Sequence, residues 1–189
     1  MEVGTLIQTV KNEVHLCQHD VEATWLISCA RRASLIDGCM AELGVYQGGT
    51  AKLICEVKGD KILYLFDTFS GNPEGDEFDK KDFNSKFVGD YETVKKYLKD
   101  YPNVHIIRGV FPDCELPDVE YSFVHIDTDS HRSTKPALEY FYPRLVPGGI
   151  LLIHDYLLFG VGTAIQAFLK LHDDPILINA GHLRIIKSV

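Results

Sequence analysis

Apolar residues recur along this chain in two rhythms. Leu6, Ile7, Val10 and Val14 form one helical stripe, and Val21, Trp25 and Cys29 continue at spacing four into a second helix. After the turn signal Asp37-Gly38 the rhythm changes. Met40–Leu43, Ile62–Phe66, Val104–Ile107, Tyr121–Ile126 and Ile150–Ile153 read as short strands, and Ile62–Phe66 is an apolar run without alternation. Such runs suit strands covered on both faces of a parallel sheet. Between them lie helical stripes: Leu53, Ile54 and Val57; Tyr91, Val94 and Leu98; Ala137, Leu138, Phe141 and Leu145; Ala164, Ile165 and Phe168. Pro136 is expected in the first turn of its helix, where proline is tolerated, and Pro147-Gly148-Gly149 as a turn into the next strand. Ile176–Asn179 and His182–Lys187 are joined only by Ala180-Gly181. That leaves no room for a crossover helix, so they are read as an antiparallel hairpin.

The order is β-α repeated and closed by a hairpin. It predicts one α/β domain over 1–189, with N-terminal helices in 1–37, a mostly parallel sheet in 38–189 and helices on both faces. Ligands in such sheets bind beyond the carboxyl ends of the strands. Every strand end here carries a polar or glycine-rich cluster, from Glu42 to His154-Asp155. The stretch 71–90 is polar and charged but keeps Phe78, Phe83 and Phe87, as expected of a lid or of a disordered loop.

Composition narrows the partners. Net charge is −8 and no basic run occurs, which argues against nucleic acid or an anionic membrane. No apolar run approaches membrane-spanning length, and Met1–Gln8 lacks the order of a signal peptide. The five cysteines are scattered and form no C-x-x-C pair, as expected of reduced, mostly core thiols in a cytoplasmic protein.

The chemistry gathers at two places. Met40-Ala-Glu-Leu-Gly-Val-Tyr-Gln-Gly-Gly-Thr50 reads as strand, glycine turn and helix start. Gly44 permits a turn with positive φ, Gly48 and Gly49 permit close approach of a ligand, and Glu42 sits at the strand end. The spacing is not G-x-G-x-x-G, so a dinucleotide is not the first choice. Asp67, ending the next strand, can accept from both ribose hydroxyls of a nucleoside, and Phe69 can stack on a base or simply pack. The second place is Asp127, Asp129, His154 and Asp155, at the ends of two strands. Grouped carboxylates repel unless a cation or proton joins them. His125 lies inside a strand and is expected in the core; His131 faces either substrate or solvent.

Four blocks in order carry a resemblance: Glu42-Leu-Gly-Val-Tyr-Gln-Gly-Gly-Thr50; Leu65-Phe-Asp-Thr-Phe-Ser-Gly-Asn-Pro-Glu74; His125-Ile-Asp-Thr-Asp129 with Ser133-Thr134; and Tyr142-Pro-Arg-Leu-Val-Pro-Gly-Gly149 through His154-Asp-Tyr156. They resemble the class I S-adenosylmethionine-dependent methyltransferases, and among them the macrocin O-methyltransferase family of sugar methylases. The resemblance implies a Rossmann-like sheet and a methyl donor held by Glu42, Gly44, Tyr46, Gly48, Gly49, Thr50, Asp67, Thr68, Phe69, Gly109 and Phe111. It implies a divalent metal, usually Mg²⁺, at Asp127 and at the pair His154-Asp155. Family members carry Asp-Asp-Tyr where this chain has His154-Asp155-Tyr156, and Tyr-Glu where it has His131-Arg132. Imidazole suits Mn²⁺ or Zn²⁺ better than Mg²⁺.

The expected reaction is methyl transfer to a hydroxyl of a saccharide or other small acceptor. Asp127 and Asp155 hold the ion, and His154 is either a third ligand or a general base with a pKa near 6.5. A homodimer is left open. The rival readings are a nicotinamide-dependent oxidoreductase and a non-catalytic S-adenosylmethionine-binding module.

Overall fold

The structure, a computed structural model, describes residues 2–79, 87–179 and 181–188. Two helices, α1 (Val3–Glu13) and α2 (Asp20–Ala33), precede the sheet. Then follow β1 (Cys39–Leu43), α3 (Gly49–Cys55), β2 (Leu63–Asp67), α4 (Tyr91–Tyr97), β3 (Val104–Arg108), β4 (Tyr121–Ile126), α5 (His131–Phe141), β5 (Leu145–Ile153), α6 (Phe159–Leu169), β6 (Ile176–Asn179) and β7 (His182–Ile186). The seven strands lie in the order β3-β2-β1-β4-β5-β7-β6. Strands β1 to β5 run parallel, and β7 pairs antiparallel with both β5 and β6, as the short connection required.

Side chains of a strand point alternately to its two faces. In β5, Ile150 and Leu152 enter the core under α1, α2 and α3, while Leu151 and Ile153 enter the core under α5 and α6. Both faces of β5 are therefore apolar, which is why Ile150–Ile153 is an unbroken apolar run. The topology reverses between β1 and β4, the neighbours from which the strand order runs outward. A crevice forms beyond the carboxyl ends of strands at such a reversal.

Three local expectations are corrected. Ser130 caps α5 by accepting from Ser133 N, so the helix starts early and Pro136 lies in its second turn. Leu145 belongs to β5 rather than to α5, because a 3₁₀ turn at Tyr142–Arg144 ends the helix. Pro147-Gly148-Gly149 lies within β5, since Gly148 N donates to Lys187 O at 2.9 Å and Lys187 N to Gly149 O at 2.9 Å. Those bonds carry the pairing with the last strand across the glycines. All five cysteines are free; Cys29 and Cys55 are buried, and Cys17 is exposed. Among the described residues no helix is long and apolar enough to cross a membrane.

Candidate active site

A cleft opens at the reversal, beyond the carboxyl ends of the strands. Gly44–Gln47, Gly49 and Thr50 line it from the end of β1, and Asp67, Gly71 and Asn72 from the end of β2. Asp127 and Asp129 come from β4, His154 and Asp155 from β5. His15–Gln18, between α1 and α2, and Phe87 complete it. A smaller recess shares Gly44, Asp67 and Asp127 and is lined by Thr68, Gly109 and Phe111.

The glycine loop is built around Asp67. Its Oδ2 accepts from Val45 N at 2.6 Å and Tyr46 N at 2.8 Å, and its Oδ1 from Phe69 N at 2.7 Å. One carboxylate thus ties the loop after β1 to the loop after β2. Gly44 has φ 94°, and a Cβ there would lie 1.8 Å from the carbonyl oxygen of Asp127. Only glycine lets the ends of β1 and β4 meet. Gly48 (φ 82°) caps α3, and a Cβ there would touch Val94 and Tyr97; one at Gly49 would touch Leu16. These two glycines make room for the protein's own helices and loops.

The structure places other expected residues away from the cleft. Glu42 is fully buried, with its Oε1 2.9 Å from His125 Nδ1, and Thr50 also bonds to it. Burial raises the Glu42 carboxyl despite these partners. His125 is a core residue, as expected. Phe69 is buried in a T-shaped contact with Tyr91, the packing role that was one of its two expected ones. Phe111 lies at the recess with its ring stacked on Phe141.

The acidic cluster is closely knit. His154 Nδ1 lies 3.1 Å from Asp127 Oδ1 and 2.8 Å from Asp155 Oδ2. Gln18 Nε2 donates to Asp127 Oδ2 at 3.2 Å and reaches His125 Nε2 at 3.4 Å. Asp129 and Asp155 both adopt positive φ, 58° and 56°, a left-handed conformation that aspartate tolerates better than most residues. Burial alone would lower His154, but the Asp127 and Asp155 carboxylates outweigh it and push it up to about 11. Burial would raise Asp127, yet the His154 charge holds it well below the usual carboxylate range. Asp129 is pushed up to about 8 by burial, by the Asp127 charge and by its hydrogen bond to Asp155. The Asp127 and Asp155 carboxylates thus favour the charged imidazole, which weighs against His154 as a base with a pKa near 6.5.

Asp127, His154 and Asp155 each offer one ligand atom, all within 4.8 Å of one another. Two carboxylates and one imidazole fit a divalent ion that tolerates nitrogen, such as Mn²⁺, better than Mg²⁺.

The stretch 71–90 is described except for 80–86, so Phe83 lies outside the described residues. Asp79 accepts from His131 N at 2.6 Å and Arg132 N at 3.2 Å, satisfying amides in the first turn of α5. Asp76 Oδ2 lies 2.6 Å from His131 Nδ1, and Phe78 packs on the same ring with centroids 4.5 Å apart. His131 is thus buried under this segment and faces neither bulk solvent nor the cleft. Phe87 meets Tyr46 edge-on at 5.7 Å. Gln18 and Glu22 were not anticipated, because no local motif marks them; Gln47 and Asn72 lie within the quoted blocks, which gave them no role of their own.

Comparison with known proteins places this geometry. The chain is 26% identical over 152 residues to 8-demethyl-8-(2,3-dimethoxy-alpha-L-rhamnosyl)-tetracenomycin-C 4'-O-methyltransferase of Streptomyces olivaceus, covering 70% of this chain and 58% of that one. It is 25% identical over 158 residues to mycinamicin III 3''-O-methyltransferase of Micromonospora griseorubida, covering 72% and 62%. The chain thus spans about six tenths of the length of these relatives. The solved structure of the O-methyltransferase NovP superposes with a TM-score of 0.79 at 20% identity, over 89% of this chain and 80% of that one. The fold is that of the class I methyltransferases. The sequence model described as Macrocin-O-methyltransferase (TylF) matches residues 27–177, most of the sheet and every strand end that lines the cleft, and the chain belongs to that family.

Proposed function

We propose that this protein transfers the methyl group of S-adenosylmethionine to a hydroxyl of a small glycoside or deoxysugar. The observation that carries the reading is one cleft with two unlike walls. One wall is the glycine loop organised by Asp67, suited to a nucleoside donor. The other is the cluster Asp127, Asp129, His154 and Asp155. The saccharide class comes from a relative whose name specifies O-methylation of a rhamnosyl-tetracenomycin.

In the reaction the sulfonium–methyl bond breaks and an oxygen–methyl bond forms. S-adenosylhomocysteine leaves, and the acceptor hydroxyl gives up its proton. An alcohol is a weak nucleophile, so its developing negative charge needs stabilisation. His154, held between two carboxylates that favour its charged form, supplies positive charge at the cleft wall for that purpose. Asp129 lines the cleft with a carboxyl raised to about 8, close to the pH at which a general base works best, and we assign it, in its ionised form, to take the hydroxyl proton. Holding donor and acceptor together supplies much of the rate. Asp127, His154 and Asp155 are also the residues that would hold a divalent ion, which when bound would stabilise the alkoxide as a Lewis acid.

A non-catalytic S-adenosylmethionine-binding module would keep the first wall and lose turnover. The experiment is turnover of methyl-labelled S-adenosylmethionine with deoxysugar glycosides, in chelator and with Mg²⁺ or Mn²⁺, for wild type and His154→Asp. Labelled O-methyl product supports the reading. We expect wild type to prefer Mn²⁺ and His154→Asp to shift towards Mg²⁺, because a hard ion prefers oxygen. Full activity in chelator, with no metal by elemental analysis, leaves His154 alone as the cation. S-adenosylmethionine bound without turnover on any acceptor tested would count against the enzyme reading.

A further inference from the structure

Glu22 is an acid at the edge of the cluster that the proposed reaction leaves unused. It lies in the first turn of α2, where its Oε2 accepts from His19 N at 2.7 Å and closes a capping box. The cap needs only that oxygen. The other, Oε1, lies 3.6 Å from His154 Nε2, with the two side chains 14% and 12% exposed. Nε2 is buried and finds no hydrogen-bond partner among the described residues. Beyond the carboxylate stands Gly181, where a Cβ would fall 2.6 Å from Oε1. The turn before β7, where Gly181 has φ 80°, thus packs directly against the Glu22 carboxylate.

We propose that Glu22 is a positioning residue for His154: it holds a hydrogen on Nε2 and so keeps Nδ1 turned towards Asp127 and Asp155. The hydrogen bond made by one imidazole nitrogen decides the state of the other. A histidine that serves an ion or a reacting group commonly leans on a carboxylate in this way. The 3.6 Å contact is longer than a hydrogen bond. The terminal torsion of glutamate is soft, so a small rotation closes the gap, and such bonds tighten when a site is filled. This assignment rests on the reading that His154 serves the methyl-transfer site.

Glu22→Gln separates the two duties of the side chain. Its carbonyl oxygen can still accept from His19 N, while its amide group faces Nε2 and reverses the polarity there. Wild type and Glu22→Gln are titrated with Mn²⁺ alone by calorimetry. Imidazole ¹⁵N spectra of both are recorded without metal, with His154 assigned by its loss in His154→Asp. We expect Mn²⁺ to bind Glu22→Gln about 10- to 100-fold more weakly. The His154 Nε2 resonance should shift, with melting temperature and S-adenosylmethionine affinity retained. Unchanged Mn²⁺ affinity and an unchanged resonance would overturn the assignment. Should wild type bind no Mn²⁺, the metal reading fails by itself, and the resonance alone decides for or against Glu22.

Discussion

Asp67 has a structural duty in the fold and, in the proposed function, a second one in holding the donor. Its place at a strand end marks it as a ribose acceptor, yet three backbone amides already point at its carboxylate. Two substitutions separate these duties. Asp67→Ala should melt lower and bind S-adenosylmethionine more weakly by about 1–3 kcal/mol, as expected for lost charge-assisted hydrogen bonds. Asp67→Asn keeps an oxygen for the loop amides, so its melting temperature should stay close to wild type while affinity still falls. Unchanged affinity in Asp67→Asn by calorimetry would reduce Asp67 to a loop anchor. Glu42, Gly48 and Phe69 teach the complementary lesson. Their positions were legible from the glycine motif and the strand ends, but the direction of a side chain, or the room a glycine clears, was not. Glu42 turns into the core against His125, and Gly48 clears α4.

At the scale of elements, the segment 76–79 behaves as a latch on α5. Asp79 satisfies two amides of that helix, and Asp76 grips His131. Asp79→Ala should speed hydrogen exchange in 76–79 and in the first turn of α5, consistent with losing a cap of about 1 kcal/mol. Equal protection in variant and wild type would show that the latch does not hold the segment. The pH dependence has a definite sign. Burial would raise Asp76, but its bonds to His131 and Phe78 N outweigh it and hold the carboxyl below its ordinary value. Its contribution is present above the ordinary carboxylate pKa and is lost as pH falls through the lowered one. Exchange in 76–79, corrected for intrinsic rate, should therefore rise below about pH 4. The element boundaries that sequence misplaced have local causes too. Glycine and proline at 147–149 usually mark a turn, but the last strand continues to pair across them.

For the whole molecule, the alternation of apolar runs with helical stripes was enough to foresee a parallel sheet, its closing hairpin and the rim where the strand ends converge. Both faces of these strands are buried, so the signal is dense and local. The contribution of the N-terminal helices was not legible. Gln18 reaches Asp127 and Glu22 reaches His154 across more than half the chain, and contacts of that range leave no periodicity to read. They show that the segment before β1 supplies part of the site's wall as well as cover for the sheet. The account's central claim is that the glycine loop and Asp67 hold a sulfonium nucleoside. Its most direct test is parallel calorimetric titration of the protein with S-adenosylmethionine, S-adenosylhomocysteine and NAD. The account predicts one-to-one binding of the first two and none of NAD; binding of NAD in preference to both would contradict it.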